Sequence, residues 1–134
     1  MMHFRLTLVA LFAILWASLT PWFPEIPNVE DVPFYDKWAH FLMYGVLTLI
    51  VQWECYWLTR DGYPLTAIHW TILCAIMPVA WGILMELAQA YLTNYRTGDP
   101  IDAFANIIGV VIGLVLGHRS SGRKRSRFSR RRSR

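Results

Sequence analysis

The stretch DKWAHFLMYGVLTLIVQW, residues 36 to 53, decides the fold, because it places an acid, a base and a histidine at the start of a long apolar run. A transmembrane helix needs about 20 predominantly apolar residues, and the run meets that length. Charged groups at the edge of the hydrocarbon cost free energy unless they find water or partners. The stretch therefore predicts a membrane-spanning helix whose first turns carry polar groups that need partners.

The composition of the 134-residue chain agrees with a membrane protein, since 55% of its residues are hydrophobic and only 16% are charged. A chain with this composition is too apolar to be an ordinary soluble domain. Most of the basic residues lie beyond Gly117, so the net charge of +4 belongs to the tail. Cys55 and Cys74 fall inside apolar runs, and we interpret them as packing residues.

Four segments are long and apolar enough to span a bilayer. They are Phe4 to Thr20, Lys37 to Leu58, Ala67 to Leu92, and Asp102 to His118. The sequence therefore predicts an all-α polytopic membrane protein, with a four-transmembrane-helix bundle in residues 1–118 and a disordered Arg-rich cytoplasmic tail in residues 119–134. Pro78 predicts a kink in the third span, because proline removes a helical hydrogen bond.

The distribution of basic residues predicts the orientation of the bundle. Arg5, Arg60 and the tail fall on one side of the membrane, and Lys37 and Arg96 fall on the other among most of the acids. Because short cytoplasmic loops are enriched in Lys and Arg, both termini are predicted to be cytoplasmic. A cleaved signal peptide remains an alternative interpretation of the first span.

Polar residues gather near the outer end of three predicted spans. Residues 37, 40 and 44, residues 86, 89 and 93, and residues 99, 102 and 106 each recur at helical spacing, so each set lies on one helix face. The predicted polar site comprises Asp36, Lys37, His40, Tyr44, Glu86, Gln89, Arg96, Asp99, Asp102 and Asn106.

Each polar residue also has a purely structural interpretation. Interhelical hydrogen bonds in membrane bundles are often formed by residues of the types found at Tyr44, Gln89 and Asn106. Close helix packing is the predicted role of Gly109 and Gly113. The ionisable residues His40 and Glu86 favour a functional site, because such groups are costly within a membrane. Arg96 is the expected counter-charge. Glu54, at the opposite interface, is expected to be hydrated and structural.

The motifs DKWAHFLMY, ELAQ and RTGDPIDAFANIIG together resemble the VanZ-like membrane proteins. That pattern runs Asp-Lys-x-x-His-Phe-x-x-Tyr, then Glu-x-x-Gln, then Arg-x-x-Asp-x-x-Asp-x-x-x-Asn-x-x-Gly, and each spacing is intact between Pro33 and Gly113. The resemblance implies a bacterial inner (cytoplasmic) membrane protein with a site on the outer, periplasmic face. It also implies a link to the cell envelope and to glycopeptide (teicoplanin) resistance.

Three classes of function follow from these features. The leading one is binding of, or action on, an envelope component such as a lipid-linked or cell-wall precursor. The second is a membrane-embedded enzyme, in which His40 and the carboxylates perform acid–base or metal-assisted chemistry; the chain has no HExxH motif and no second histidine at metal spacing. The third is a scaffold whose polar residues only join helices. We expect no cofactor and no bound metal.

The expected partners are the lipid bilayer, an envelope lipid or cell-wall precursor at the polar site, and further copies of the chain. The Arg-rich tail is expected to bind anionic lipid, at about 1 kcal/mol per basic residue near the surface. Binding of nucleic acid by the same arginines is the less favoured alternative.

Overall fold

The computed structural model describes residues 4–20, 34–94 and 99–132, with side chains described as far as residue 119 except that of Tyr35. Helix α1 spans Arg5–Leu19, α2 spans Tyr35–Arg60, α3 spans Ala67–Leu92, and α4 spans Pro100–Arg132. No strand occurs in these ranges, so the predicted all-helical class is confirmed for the described residues.

Three helices are long and apolar enough to cross a membrane: α2, α3 and the part of α4 up to Arg119. Helix α1 is apolar, but it has 15 residues. At helical rise it is about 22 Å long, whereas a bilayer core is about 30 Å thick. The described residues therefore contain three helices of spanning length and one shorter apolar helix packed beside them.

Side-chain contacts fix the direction of each helix in the bundle. Lys37 contacts Asp102 and Gln52 contacts the Gly113 carbonyl, so α2 and α4 run parallel. Cys55 contacts Cys74, whereas His40, at the other end of α2, contacts Glu86; α3 is therefore antiparallel to α2.

Helix α1 is also antiparallel to α2, because Thr7 contacts Glu54 near the end of α2 and Ser18 contacts Gln89 near the end of α3. Helices α2 and α4 thus begin where α1 and α3 end. We call this the acidic end, which is defined by Asp36, Lys37, Glu86, Asp99 and Asp102.

The bundle buries polar side chains and exposes apolar ones. The buried polar residues are Thr7, Ser18, His40, Thr48, Glu54, Glu86, Gln89, Asp102 and Asn106. Large apolar residues are exposed along the helices, for example Phe12, Leu42, Leu84 and Val111. In water such a surface would be unfavourable, whereas in lipid it is the expected outer face.

Tryptophans mark the two ends of α2. Trp38 and Trp53 are exposed and lie about 22 Å apart along the helix axis. Tryptophan is enriched at both membrane–water interfaces, because its ring is amphipathic. The two residues therefore indicate that α2 crosses most of a bilayer core.

Glycines bring α2 and α4 into backbone contact. A Cβ atom on Gly109 would overlap the carbonyl oxygen of Phe41, and a Cβ on Gly113 would lie 2.8 Å from the carbonyl oxygen of Gly45. The structure thus places Gly109 and Gly113 at the α2–α4 contact, where only glycine fits. This close approach brings the polar side chains at the start of both helices together.

Helix α3 contains a π-helical segment, Ile72–Ile76, which ends two residues before Pro78. A proline ring clashes with the carbonyl four residues earlier, which here belongs to Cys74. A π-bulge is one recognised way in which a helix departs from regular geometry. The distortion expected from Pro78 therefore takes the form of a π-turn in the preceding residues.

The structure describes α4 as a helix as far as Arg132, so the predicted disordered tail is not confirmed. We predicted disorder from residue 119 onward. Arginine and lysine are good helix formers, and the segment extends a helix that has already been nucleated, so no new nucleation cost arises.

Candidate functional site

An ion-pair network joins the first turns of α2 and α4. The ammonium of Lys37 lies 3.1 Å from Asp99 Oδ2 and 2.8 Å from Asp102 Oδ1. Asp102 is buried, and Lys37 is partly buried. Both carboxylates contact the same cation, so Lys37 neutralises part of the acidic end.

Asp99 also shapes the start of α4. Its Oδ1 accepts a hydrogen bond of 2.8 Å from the backbone N–H of Ile101, and Pro100 follows as the first helical residue. Aspartate before an N-terminal proline is a favourable helix start. The hydrogen bond from the Ile101 N–H holds the pKa of Asp99 below its ordinary value, and the Lys37 ammonium is the second cause.

Asp99→Asn is expected to lower stability at neutral pH, because asparagine keeps the cap but loses the attraction to Lys37. The Asp99 charge stabilises the folded protein fully above the ordinary pKa of 3.8. This stabilisation is lost as the pH falls through the lower pKa that Asp99 has in the folded protein. The unfolding curves of wild type and variant in detergent should therefore converge on acidification. A difference that persists unchanged at about pH 2 would contradict this assignment.

His40 lies at the centre of the site and is only 3% exposed. Its Nδ1 is 3.1 Å from Asn106 Oδ1 and 3.5 Å from Glu86 Oε1. Both neighbours are acceptors, so Nδ1 carries a hydrogen and donates to Asn106, a tautomer assigned from the neighbours. The other ring nitrogen, Nε2, lies 4.0 Å from Asp36 Oδ1.

Three buried polar atoms near His40 have no hydrogen-bond partner in the described part of the chain. They are the Tyr44 hydroxyl, Glu86 Oε1 and Asn106 Nδ2. The second carboxylate oxygen of Glu86 accepts a bond of 3.3 Å from the Asp99 N–H. A Cβ on Gly82 would lie 3.1 Å from Asn106 Nδ2 and 3.2 Å from the Tyr44 ring, so these groups share one small region. Unpartnered buried polar atoms are uncommon and call for an explanation.

The described part of the site is rich in carboxylates. They belong to Asp36, Glu86, Asp99 and Asp102, and the Lys37 ammonium contacts those of Asp99 and Asp102. One ligand atom from each of Asp36, His40 and Asp102 lies within 4.8 Å of the other two. Imidazole nitrogen and carboxylate oxygen are both ligands for divalent metals, so the arrangement is suited to a cation or to acid–base chemistry.

The structure brings most of the predicted site residues together at the acidic end. They are Asp36, Lys37, His40, Tyr44, Glu86, Asp99, Asp102 and Asn106. Gln89 is also buried near this end, but its amide donates to the Ser18 carbonyl at 3.1 Å and so joins α3 to α1. Arg96, the expected counter-charge, lies outside the described residues.

Sequence reasoning missed a polar contact at the opposite end of the bundle. Glu54 is buried rather than hydrated, and its carboxylate accepts the backbone N–H groups of Leu6 at 2.9 Å and Thr7 at 3.1 Å. It also accepts the Thr7 hydroxyl. The first N–H groups of a helix lack intrahelical partners, and a negative charge there is favourable. The only available signal was an acid placed within an apolar run.

This chain is similar to a protein of the fission yeast Schizosaccharomyces pombe (strain 972) whose name is Uncharacterized protein C11E3.10. The two sequences are 31% identical over 119 residues, which cover 86% of this chain and 66% of the relative. The chain thus spans slightly less than two thirds of the length of that relative. No family model matches the chain, and no solved structure matches it.

Proposed function

We propose that the chain is an integral membrane protein whose acidic end binds the polar headgroup of a lipid-linked envelope component. The observation that carries this proposal is that one buried polar atom in each of Tyr44, Glu86 and Asn106 has no hydrogen-bond partner within the described ranges. A buried polar atom without a partner costs about 1–3 kcal/mol. A ligand that supplies the missing hydrogen bonds recovers part of that cost.

The unpartnered atoms favour a particular headgroup chemistry. The Tyr44 hydroxyl and the Asn106 amide are donors, and Glu86 Oε1 is an acceptor, so a ligand with hydroxyl or amide groups is complementary. The Lys37 ammonium already makes two contacts, with Asp99 and Asp102, whereas the three unpartnered atoms match hydroxyl and amide groups. A saccharide-bearing lipid therefore fits better than a simple phospholipid.

The proposal includes a four-span topology with both termini cytoplasmic and the acidic end on the outer face. The positive-inside distribution of Lys and Arg supports the orientation. The packing of α1 supports the fourth span, because α1 lies antiparallel to α2 as a fourth span would. The VanZ-like motifs support an envelope ligand. The relative in fission yeast is eukaryotic, so neither a bacterial source nor glycopeptide resistance is a necessary part of the proposal.

Thermal unfolding of the full chain in detergent tests the proposal. We expect a polyprenyl-linked saccharide to raise the melting temperature of the wild type, since ligand at 100 times its Kd adds about 2.7 kcal/mol of stability. Polyprenyl phosphate without the sugar should raise it less. Tyr44→Phe and Glu86→Gln should reduce the shift while leaving the ligand-free protein folded.

Thr48→Val is the matched control, because Thr48 is buried one turn from Tyr44 and its hydroxyl donates to the Tyr44 backbone carbonyl. It should leave the ligand-induced shift unchanged. No shift with any of these lipids would count against headgroup binding.

A scaffold function is the second candidate, favoured by the paired state of Lys37 with Asp99 and Asp102. In that case the polar cluster only joins helices. Glu86→Gln would then lower the melting temperature of the ligand-free protein and no lipid would restore it, so the same experiment separates the two functions.

A further inference from the structure

We propose that Asp36, His40 and Asp102 form a binding site for one divalent metal ion of the zinc or manganese type. These residues come from the first two turns of α2 and the first turn of α4, and one ligand atom from each lies within 4.8 Å of the others. Ligands of one such ion bind it at about 2.0–2.2 Å, so two of them lie at most about 4.4 Å apart. Small side-chain rotations bring the three atoms to that separation.

The hydrogen bonding of His40 supports this site. Metal-binding histidines almost always donate their second ring N–H to a nearby acceptor, which fixes the tautomer. Here Nδ1 donates to Asn106 Oδ1 at 3.1 Å, which leaves the lone pair of Nε2 on the side of Asp36, 4.0 Å from its carboxylate. A lone pair and a carboxylate repel each other unless a cation or a proton lies between them.

The surrounding charges also favour a cation. Glu86 Oε1 is buried, has no hydrogen-bond partner among the described residues, and lies 3.5 Å from the His40 ring, which places a further carboxylate beside the proposed site. Lys37 contacts Oδ1 of Asp102, and the second oxygen of that carboxylate is the one we assign to the metal. A dication at this place would add positive charge beside the carboxylates of Asp36, Asp102 and Glu86.

The ligand types indicate which metals are suitable. One imidazole nitrogen with two carboxylate oxygens suits zinc or manganese. Calcium prefers six to eight oxygen ligands, and magnesium is usually held through carboxylates and water alone. The inference goes beyond headgroup binding and does not depend on it.

Metal content of the full chain tests the site. Tag-free protein in detergent is stripped with a chelator, titrated with Zn²⁺ or Mn²⁺, dialysed, and measured by mass spectrometry of the metal. We expect one ion per chain in the wild type. Asp36→Asn and His40→Gln should each weaken binding more than tenfold, and Asn106→Leu should weaken it by about 10–100-fold through the orientation of the ring.

Glu54→Gln is the control, since it removes a buried carboxylate at the opposite end of the bundle. It should bind metal like the wild type. The side chain of Asp36 is 41% exposed, so Asp36→Asn remains informative even if His40→Gln fails to fold. Pulsed EPR of the Mn²⁺ form should show coupling to one imidazole nitrogen.

Absence of metal after dialysis, or metal whose affinity is the same in Asp36→Asn and wild type, would overturn the proposed site. The titration contains no lipid ligand. A negative result therefore leaves headgroup binding standing, and a failure of headgroup binding leaves the metal site standing.

Discussion

Gly109→Val is expected to prevent the native bundle from forming. A Cβ atom at this position would overlap the carbonyl oxygen of Phe41 and lie 3.1 Å from the Gly45 nitrogen. Both are backbone atoms, so no side chain can rotate to make room and α2 must separate from α4. Overpacking of a core typically costs about 1–3 kcal/mol and sometimes more, and here we expect at least the upper value.

Unfolding in detergent measures the loss of stability of Gly109→Val, and size-exclusion chromatography shows whether the native bundle forms. Gly45→Ala is the matched control, because its Cβ would lie 3.4 Å from the Gly109 carbonyl oxygen, an ordinary contact. We expect a change below about 1 kcal/mol there, since alanine also favours the helix. A Gly109→Val protein as stable as Gly45→Ala would show that the two helices do not pack through these glycines.

Glu54→Ala is expected to detach the start of α1 from α2. The substitution leaves the N–H groups of Leu6 and Thr7 and the Thr7 hydroxyl without the acceptor that they now share. Unsatisfied buried groups cost about 1–3 kcal/mol each, and water cannot replace the acceptor inside lipid. We expect a loss of about 2–4 kcal/mol, measured by unfolding in detergent.

Glu54→Gln is the control, because glutamine retains one acceptor oxygen. It should lose less than half as much stability as Glu54→Ala. Faster hydrogen exchange confined to the first turn of α1 in Glu54→Ala would locate the effect. Equal stability of the two variants would mean that Glu54 does not cap α1.

The sequence was sufficient to predict α2, α3 and the apolar part of α4, and the polar face of α2. Apolar runs of spanning length, separated by Pro, Gly and acids, predict α2, α3 and α4 because few other structures satisfy the backbone in a membrane. Helical spacing places Lys37, His40 and Tyr44 on one face. Those three residues do lie at the acidic end, beside Glu86 and Asn106.

The pairing of particular side chains was not predictable, because it depends on the relative rotation and height of helices far apart in sequence. Gln89 has the same spacing pattern as Glu86, yet it contacts α1. Glu54 is near an interface by sequence, yet it is buried against a helix N-terminus. Lys37 was predicted as part of the polar site without a named partner residue, and it contacts Asp99 and Asp102.

The parallel pairing of α2 with α4 determines the order in which the bundle can be completed during synthesis. Glu54 finds its partners 47 and 48 residues earlier in the chain, so that end can assemble as soon as α2 has emerged. The Lys37 ammonium cannot contact Asp99 and Asp102 until they have been synthesised, 62 and 65 residues later. Until α4 enters the membrane, the cation at the start of α2 depends on water, headgroups or the insertion machinery. A chain that ends before Asp99 therefore lacks both carboxylates that Lys37 contacts, and its acidic end cannot close.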